Sequence, residues 1–342
     1  MSRFLDAARR KPVDATPVWL MRQAGRSLPE YRALRERWTL AEIVAQPELC
    51  AEVTLQPVRR LGVDAAVMFA DIMLPLRGMG VEFELVENVG PVIAHPIAGV
   101  ADVERLRVPD GEEAAPQVIT AVRQVAAESP VPVIGFSGAP FTLASYLIEG
   151  RPSRDFTRVK AFMFTQPRAF ESLLEKLAAT MAGYLVAQVH AGVQAVQLFD
   201  SWVGALALED YESRVVKHTR AILEALAPLG VPRIHFGTNT AGLLQAIARS
   251  GPDVVSLDWR VPLDEGWQRV GHDRGVQGNL DPAVLLGPAD LVRERARDVL
   301  RRADGRLGHV FNLGHGVLPE TSIENLQLLI ETVHSWVPAN VS

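Results

Sequence analysis

Short apolar runs alternate with longer helical patterns along almost the whole chain, and this alternation constrains the fold more than any other feature. The runs are residues 17–21, 65–70, 131–136, 195–199, 233–236, 254–257, 276–279 and 309–313. Several are apolar on both faces, as strands buried in a parallel sheet are. About eight strand-helix pairs with no Gly/Ser/Pro-rich linker predict an α/β fold, a single (β/α)8 TIM-type barrel with insertions, as one domain over residues 1–342.

Polar side chains follow these runs at the point where each predicted strand ends. In a (β/α)8 barrel the loops after the strands build the active site, so residues far apart in sequence meet in one pocket. The residues that this rule brings together are Arg22, Arg26, Asp71, Tyr146, Ser201 and His315. The two arginines flank a turn containing Gly25, and planar guanidinium forks suit an anionic substrate that carries carboxylates or phosphates.

Each of these residues also has a structural interpretation. Arg22 and Arg26 are compatible with a solvated surface loop, and Asp71 and Ser201 with helix N-caps. Tyr146 is compatible with a phenol at the core edge. A loop histidine such as His315 is a metal ligand in many barrels, yet no second histidine or cysteine stands at ligand spacing, so we predict no metal site.

Composition narrows the class of protein. The chain has 342 residues, of which 48% are hydrophobic and 22% charged, and its net charge of −5 gives no general attraction to nucleic acid. No apolar run approaches the roughly 20 residues of a membrane span. The first 14 residues lack the apolar stretch of a signal peptide. With Cys50 as the single cysteine, we predict a cytoplasmic protein with no membrane or nucleic-acid partner.

Two long strings resemble the two signatures of the uroporphyrinogen decarboxylase family. They are PVWLMRQAGRSLPEYRALR at residues 17–35 and the string that runs from GFSGAPFTL at residue 135 to Gly150. The resemblance continues through VTLQPVRR at 53–60, FADI at 69–72, LFDSW at 198–202 and NLGHG at 312–316. It therefore covers nearly the full chain. Ser27 and the region Trp38–Leu40 depart from the family pattern beside the first string, at residues that carry no charge chemistry.

The resemblance implies a cofactor-free enzyme of tetrapyrrole biosynthesis that removes the four acetate carboxyls of uroporphyrinogen III as CO2 and gives coproporphyrinogen III. The reduced pyrrole is its own electron sink, so neither a metal nor an organic cofactor is expected. Asp71 matches the catalytic aspartate that accepts hydrogen bonds from the pyrrole N–H groups and stabilises the protonated ring. The resemblance also implies a homodimer. The substrate-binding residues that it implies are Arg22, Gln23, Ala24, Gly25, Arg26, Arg35, Asp71, Tyr146, Phe199, Ser201 and His315.

Two other functions are compatible with the same fold. A corrinoid- or thiol-linked methyltransferase resembles this family in its barrel, but such enzymes typically hold zinc with a set of His and Cys residues that this sequence lacks. A non-catalytic tetrapyrrole carrier would keep the arginines and would not need Asp71. Loss of carboxyls from uroporphyrinogen in a direct assay distinguishes all three.

Overall fold

The computed structural model describes residues 2–87 and 89–337, and its central element is a curled, seven-stranded parallel sheet. Seven of the nine strands in this part of the chain form the sheet, in the order β1-β4-β5-β6-β7-β8-β9, and β2 pairs with β3 in a separate antiparallel hairpin. The strands are β1 (Ala66–Val67), β2 (Phe83–Val86), β3 (Gly90–Ile93), β4 (Val133–Gly138), β5 (Ala195–Asp200), β6 (Arg233–Gly237), β7 (Val254–Ser256), β8 (Gly275–Gln277) and β9 (His309–Val310).

Residues 17–19 hydrogen-bond to both edges of this sheet. On the β9 side the Phe311 N–H donates to Pro17 O (2.8 Å), and Val18 forms a parallel bridge with Phe311. On the β1 side the Asp64 N–H donates to Val18 O (2.8 Å), and the Val18 N–H donates to the Asp64 carboxylate instead of a carbonyl (2.7 Å). The predicted strand 17–21 is therefore reduced to a single bridge, because a side chain replaces part of the ladder.

Helices follow the strands and pack on the outside of the sheet. The longest, α10, packs against α6, α8 and α12. The helices are α1 (Arg3–Ala8), α2 (Pro29–Arg35), α3 (Leu40–Ala45), α4 (Pro47–Leu61), α5 (Val100–Arg105), α6 (Gly111–Ala114), α7 (Pro116–Glu128), α8 (Pro140–Glu149), α9 (Thr157–Thr165), α10 (Pro167–His190), α11 (Leu208–Asp210), α12 (Val216–Leu226), α13 (Leu244–Arg249), α14 (Leu263–Val270), α15 (Ala289–Ala303) and α16 (Ile323–His334). Between α11 and α12 the chain makes a π-helical turn at Tyr211–Val215. None of the described helices is long and apolar enough to cross a bilayer.

The predicted elements are in the right order, but several bounds were wrong. The strand predicted at 65–70 is only Ala66–Val67, and the one predicted at 309–313 is only His309–Val310. After β1 the chain turns toward the carboxyl-end loops, where Thr54 Oγ1 and Cys50 Sγ bond the backbone of Phe69. After β9 the ladder is reduced to isolated parallel bridges at Phe311 and Leu313. The half-exposed strand predicted at 81–86 is β2, and its partner β3 was not predicted.

Candidate active site

The loop that carries Arg22 and Arg26 is fixed by its backbone conformation and by the side chain of a residue within it. Both arginines have left-handed backbone conformations (φ 58° and 52°), which side chains other than glycine seldom adopt. Between them, the buried Gln23 side chain accepts the Leu20 N–H (2.8 Å) and donates to Ala65 O (2.9 Å). The Gln23 amide therefore ties the loop to the strand region before β1, and these two backbone contacts occupy it.

Small residues let this loop pack closely on its neighbours. Ala24 is buried against Ile43 and Val53. Gly25 has φ +92°, a backbone conformation that favours glycine, and a Cβ there would lie 3.3 Å from the Phe69 ring and press against it. The sequence predicted that the chain bends at Gly25, and this packing restrains the bend.

The arginines of the loop meet the turn after β9. The Arg22 side chain crosses Gly316 so closely that a Cβ on that glycine would lie 2.5 Å from Arg22 Cδ. Burial and the charge of Arg22 lower the pKa of Arg26. Within residues 2–87 and 89–337, neither guanidinium has a carboxylate within ion-pair distance or a side-chain hydrogen bond to the protein. Two adjacent cations with no such partner among these residues are able to bind an anion.

Asp71 lies beyond β1, deep in the molecule but with part of its surface open to solvent. One carboxylate oxygen accepts the Met73 N–H (2.8 Å), which is the contact of a turn rather than of a long helix. Burial raises the pKa of Asp71, and the Met73 hydrogen bond and the charge of Arg22 oppose the rise. The second oxygen has no hydrogen-bond partner among the described residues. One oxygen of Asp71 therefore makes the contact of a turn, and the rest of the carboxylate is poorly solvated but partly accessible from the cleft.

Tyr146, on α8, is close to Asp71. Burial first, and then the charge of Asp71, raise the pKa of Tyr146 to about 12, so its phenol stays protonated. Its ring contacts Trp202 edge to face, with 5.8 Å between centroids. Below it, Thr142 Oγ1 donates to the buried Asp200 carboxylate (2.7 Å) and accepts the Trp202 N–H (3.1 Å). This clamp holds α8 and the turn after β5 together, and Ser201 lies in that turn.

Aromatic rings line the side of the site formed by β4 to β7. Phe199 contacts Phe136 (5.3 Å) and Phe236 (6.0 Å), both edge to face. Phe236 continues to His315 (6.2 Å), and His315 to Trp259 (6.4 Å). Burial, followed by the charges of Arg22, Arg26 and Arg260, lowers the pKa of His315 to about 4, so the imidazole is neutral at pH 7. These rings present apolar faces to the cleft, and His315 adds one neutral polar ring among them.

Arg35 lies farther out than the other predicted residues. Its guanidinium donates to Trp38 O (2.9 Å) and forms an ion pair with the exposed Glu87 (2.9 Å). It adjoins Tyr31, whose ring contacts Phe69 (5.5 Å). Sequence reasoning missed Trp259 and Arg260, which lie in the loop after β7 and so obey the same strand-end rule that identified Asp71 and Ser201.

In the part of the chain described, no three His, Cys, Asp or Glu side chains are grouped so that they could hold a metal ion. Cys50 is buried, donates to Phe69 O (2.8 Å), and has a pKa raised by burial to about 12. A thiolate is therefore not available at this position. The polar groups that do converge, guanidiniums, one carboxylate, a phenol and a neutral imidazole, suit a polycarboxylate with N–H donors.

Comparison with known proteins identifies the family. The family described as Uroporphyrinogen decarboxylase (URO-D) matches residues 1–336. The uroporphyrinogen decarboxylase of Sorangium cellulosum is 54% identical over 335 residues, covering 97% of this chain and 96% of the relative, and that of Carboxydothermus hydrogenoformans is 51% identical over 333 residues, covering 97% and 95%. Among solved structures, a methyltransferase from Methanosarcina mazei shares the fold (TM-score 0.81, 20% identity, 96% of each chain). The chain belongs to the uroporphyrinogen decarboxylase family.

Proposed function

We propose that this protein converts uroporphyrinogen III to coproporphyrinogen III by removing its four acetate carboxyls as CO2, the reaction of the family to which it belongs. The observation that carries the proposal is the presence in one cleft of a poorly solvated Asp71 carboxylate and of the guanidiniums of Arg22 and Arg26, which have no side-chain partner among the described residues. A cyclic tetrapyrrole has the complementary layout, with N–H donors at its centre and carboxylates around its rim. Its charge pattern matches that of the cleft.

In this proposal Asp71 accepts hydrogen bonds from the pyrrole N–H groups. Protonation of the ring carbon beside an acetate creates a cation, the bond to the carboxyl carbon then breaks, and its electrons pass into the ring and leave an exocyclic methylene. A proton then adds to the methylene carbon and the first proton leaves the ring carbon, which restores the pyrrole. Each turnover consumes one proton, releases one CO2 and leaves a methyl group. Because burial has removed much of the water around Asp71, its attraction for the growing positive charge is strong, and this interaction favours the transition state over the ground state.

The other predicted residues take binding roles. Arg22 and Arg26 hold rim carboxylates, and Gln23, Ala24 and Gly25 keep their loop in place. Arg35 joins them by exchanging its exposed partner Glu87 for a substrate carboxylate.

Four more residues contact the reacting side of the ring. The protonated Tyr146 phenol donates to an acetate, as does the hydroxyl of Ser201. Phe199 supplies a face for the macrocycle, and the neutral His315 contributes a hydrogen bond without adding charge.

Further parts of the proposal concern the whole molecule. The bonds of residues 17–19 to both sheet edges support an eight-stranded (β/α)8 barrel, and a core continuous from residue 4 to residue 333 supports one domain. Family membership supports a cytoplasmic homodimer. The chemistry supports independence of metals and cofactors, because the protonated pyrrole itself accepts the electrons.

The deciding experiment is anaerobic incubation with uroporphyrinogen III followed by oxidation and chromatography of the porphyrins. We expect species with seven, six and five carboxyls and finally coproporphyrin, at a rate that EDTA does not change. A product pool that keeps all eight carboxyls would contradict the proposed activity, and binding without loss would favour the carrier. Turnover lost with EDTA and restored by zinc would contradict cofactor independence.

A further inference from the structure

Arg260 lies at the rim of the cleft, across from Asp71. In the sheet order β7 is four positions from β1, so the residues that follow these two strands lie on different sides of the sheet's carboxyl end. The Trp259–Arg260 segment packs against the turn that carries His315, because a Cβ on Gly314 would lie 2.2 Å from Trp259 N. The charge of Arg260 is also close enough to His315 to help lower the pKa of that ring.

The Arg260 guanidinium is fixed by a carboxylate at one edge and by an aromatic ring against its face. Its Cζ lies 3.8 Å from the centroid of the Trp259 ring, and its Nη1 donates to Asp258 Oδ2 (3.1 Å). The Asp258 side chain is only 2% exposed and also accepts the backbone N–H groups of Arg260 (2.9 Å) and Asn239 (2.5 Å). A buried carboxylate that accepts three hydrogen bonds and an aromatic ring thus hold the cation in one orientation.

The other edge of this guanidinium is open. The Arg260 side chain is 43% exposed, and its Nε and Nη2 have no hydrogen-bond partner among residues 2–87 and 89–337. A guanidinium with one edge held and the other edge free can bind a carboxylate at low entropic cost, because its free donors are already oriented.

We infer that Arg260 is a specificity-determining residue that binds a carboxylate of the tetrapyrrole other than the one that leaves. The inference rests on the proposed function and extends it, because Asp71 and Tyr146 mark the reacting side of the ring and Arg260 lies on another side. Arg260 therefore contributes equally to the ground state and the transition state. Such uniform binding changes KM and leaves kcat alone.

The test compares Arg260→Gln, Arg260→Lys and the wild type, with Arg293→Gln as control, since Arg293 is a similarly exposed arginine on α15 with one aspartate partner. For Arg260→Gln we expect a rise in KM of about tenfold with kcat within about twofold, and a smaller rise for Arg260→Lys, which keeps the charge but loses the fork. Arg293→Gln should match the wild type. An unchanged KM in Arg260→Gln, or a fall in kcat without a change in KM, would overturn the inference.

A binding measurement separates this inference from the proposed activity. Uroporphyrin I, the stable oxidised octacarboxylate, is titrated into each variant and followed by its fluorescence. We expect Arg260→Gln to bind it about tenfold more weakly than the wild type, whether or not the wild type decarboxylates uroporphyrinogen. A wild type that binds but does not turn over contradicts the proposed function alone. Equal affinities in wild type and Arg260→Gln contradict the role of Arg260 alone.

Discussion

The two ends of the parallel sheet both gather arginines, but they use them differently. At the amino end of β6 to β8, a cavity of about 650 Å3 is lined by Arg9, Arg10, Arg233 and Arg274 together with Asp253 and Asp273. Arg233 binds Asp253 through two hydrogen bonds of 2.8 Å, and Arg274 binds Asp273 and the carbonyl of Ala248. At the carboxyl end, Arg22 and Arg26 have no such partners among the described residues. Arginines whose donors are already taken by aspartates have little left for a ligand, whereas those of Arg22 and Arg26 remain available to one.

The largest effect that this comparison predicts is on Asp71. Asp71→Asn keeps the shape of the side chain and removes the charge opposite the developing cation, so turnover should fall roughly 100- to 1,000-fold, a cost of about 3 to 4 kcal/mol. Anaerobic turnover measures it, after circular dichroism has shown that the variant is folded. The matched variant at the other end, Asp273→Asn, should retain full turnover. An Asp71→Asn enzyme within about threefold of wild type would remove the aspartate from the chemistry.

The next effect concerns two histidines with equally lowered pKa values, His309 in the core and His315 in the cleft. Burial lowers the pKa of His309 to about 4. Between pH 6.5 and 4 the unfolded chain therefore binds a proton at this histidine and the native protein does not. The contribution of His309 to stability is therefore fully present well above pH 6.5 and falls by about 3 kcal/mol as the pH approaches 4, and His315, with the same lowered pKa, adds a loss of similar sign. Urea unfolding at pH 7 and pH 4.5 measures the fall.

The control for this prediction is His309→Gln, whose amide can still donate to Gly278 O, the partner of His309 Nε2 at 3.0 Å. Its stability should depend less steeply on pH than that of the wild type. Identical pH slopes in the two proteins would show that His309 is not the group responsible.

A smaller effect is expected from exchanging arginine for lysine at the two ends. Arg22→Lys and Arg26→Lys each lose the second hydrogen bond of the fork, so kcat/KM should fall about tenfold, or about 1.4 kcal/mol, with the fold intact. Arg233→Lys should leave kcat/KM unchanged and lower the free energy of unfolding by about 1 kcal/mol, because it breaks the bidentate contact with Asp253. Steady-state kinetics and urea unfolding of all three variants test the contrast. The comparison fails if Arg233→Lys impairs catalysis as much as Arg22→Lys does.

The smallest effect is that of Tyr146→Phe. This change removes one phenolic hydrogen bond to the substrate and keeps the edge-to-face contact with Trp202, so turnover should drop about three- to tenfold. Single-turnover rates measure it. A drop as large as that of Asp71→Asn would mean that the phenol takes part in proton transfer rather than in binding.

Local sequence patterns predicted the order of the elements and, through the strand-end rule, the loops that form the cleft. The family prediction is confirmed by the match over residues 1–336. The roles of the individual site residues stay predictions.

Pairings between distant residues were not predictable from local patterns. Arg35 forms an ion pair with Glu87, which is 52 residues away in sequence. The Asp64 carboxylate accepts a hydrogen bond from the Val18 N–H, 46 residues away. Hydrophobic periodicity reports which face of an element is buried, but it does not report which side chain crosses the sheet to replace a backbone partner. Arg260 was missed for a different reason: it lies three residues beyond the predicted strand 254–257, and a sequence pattern does not tell which polar residue of such a loop faces the cleft.

The bonds that residues 17–21 make with the last strand region have a consequence for biosynthesis. The Met21 N–H donates to Asn312 Oδ1, 291 residues later, and the Phe311 N–H donates to Pro17 O. The ribosome therefore makes the arginine loop 291 residues before the segment that supports it. Over that stretch of synthesis the emerging chain carries Arg22 and Arg26 without this part of their scaffold, so the loop can take its folded position only after Asn312 has left the exit tunnel.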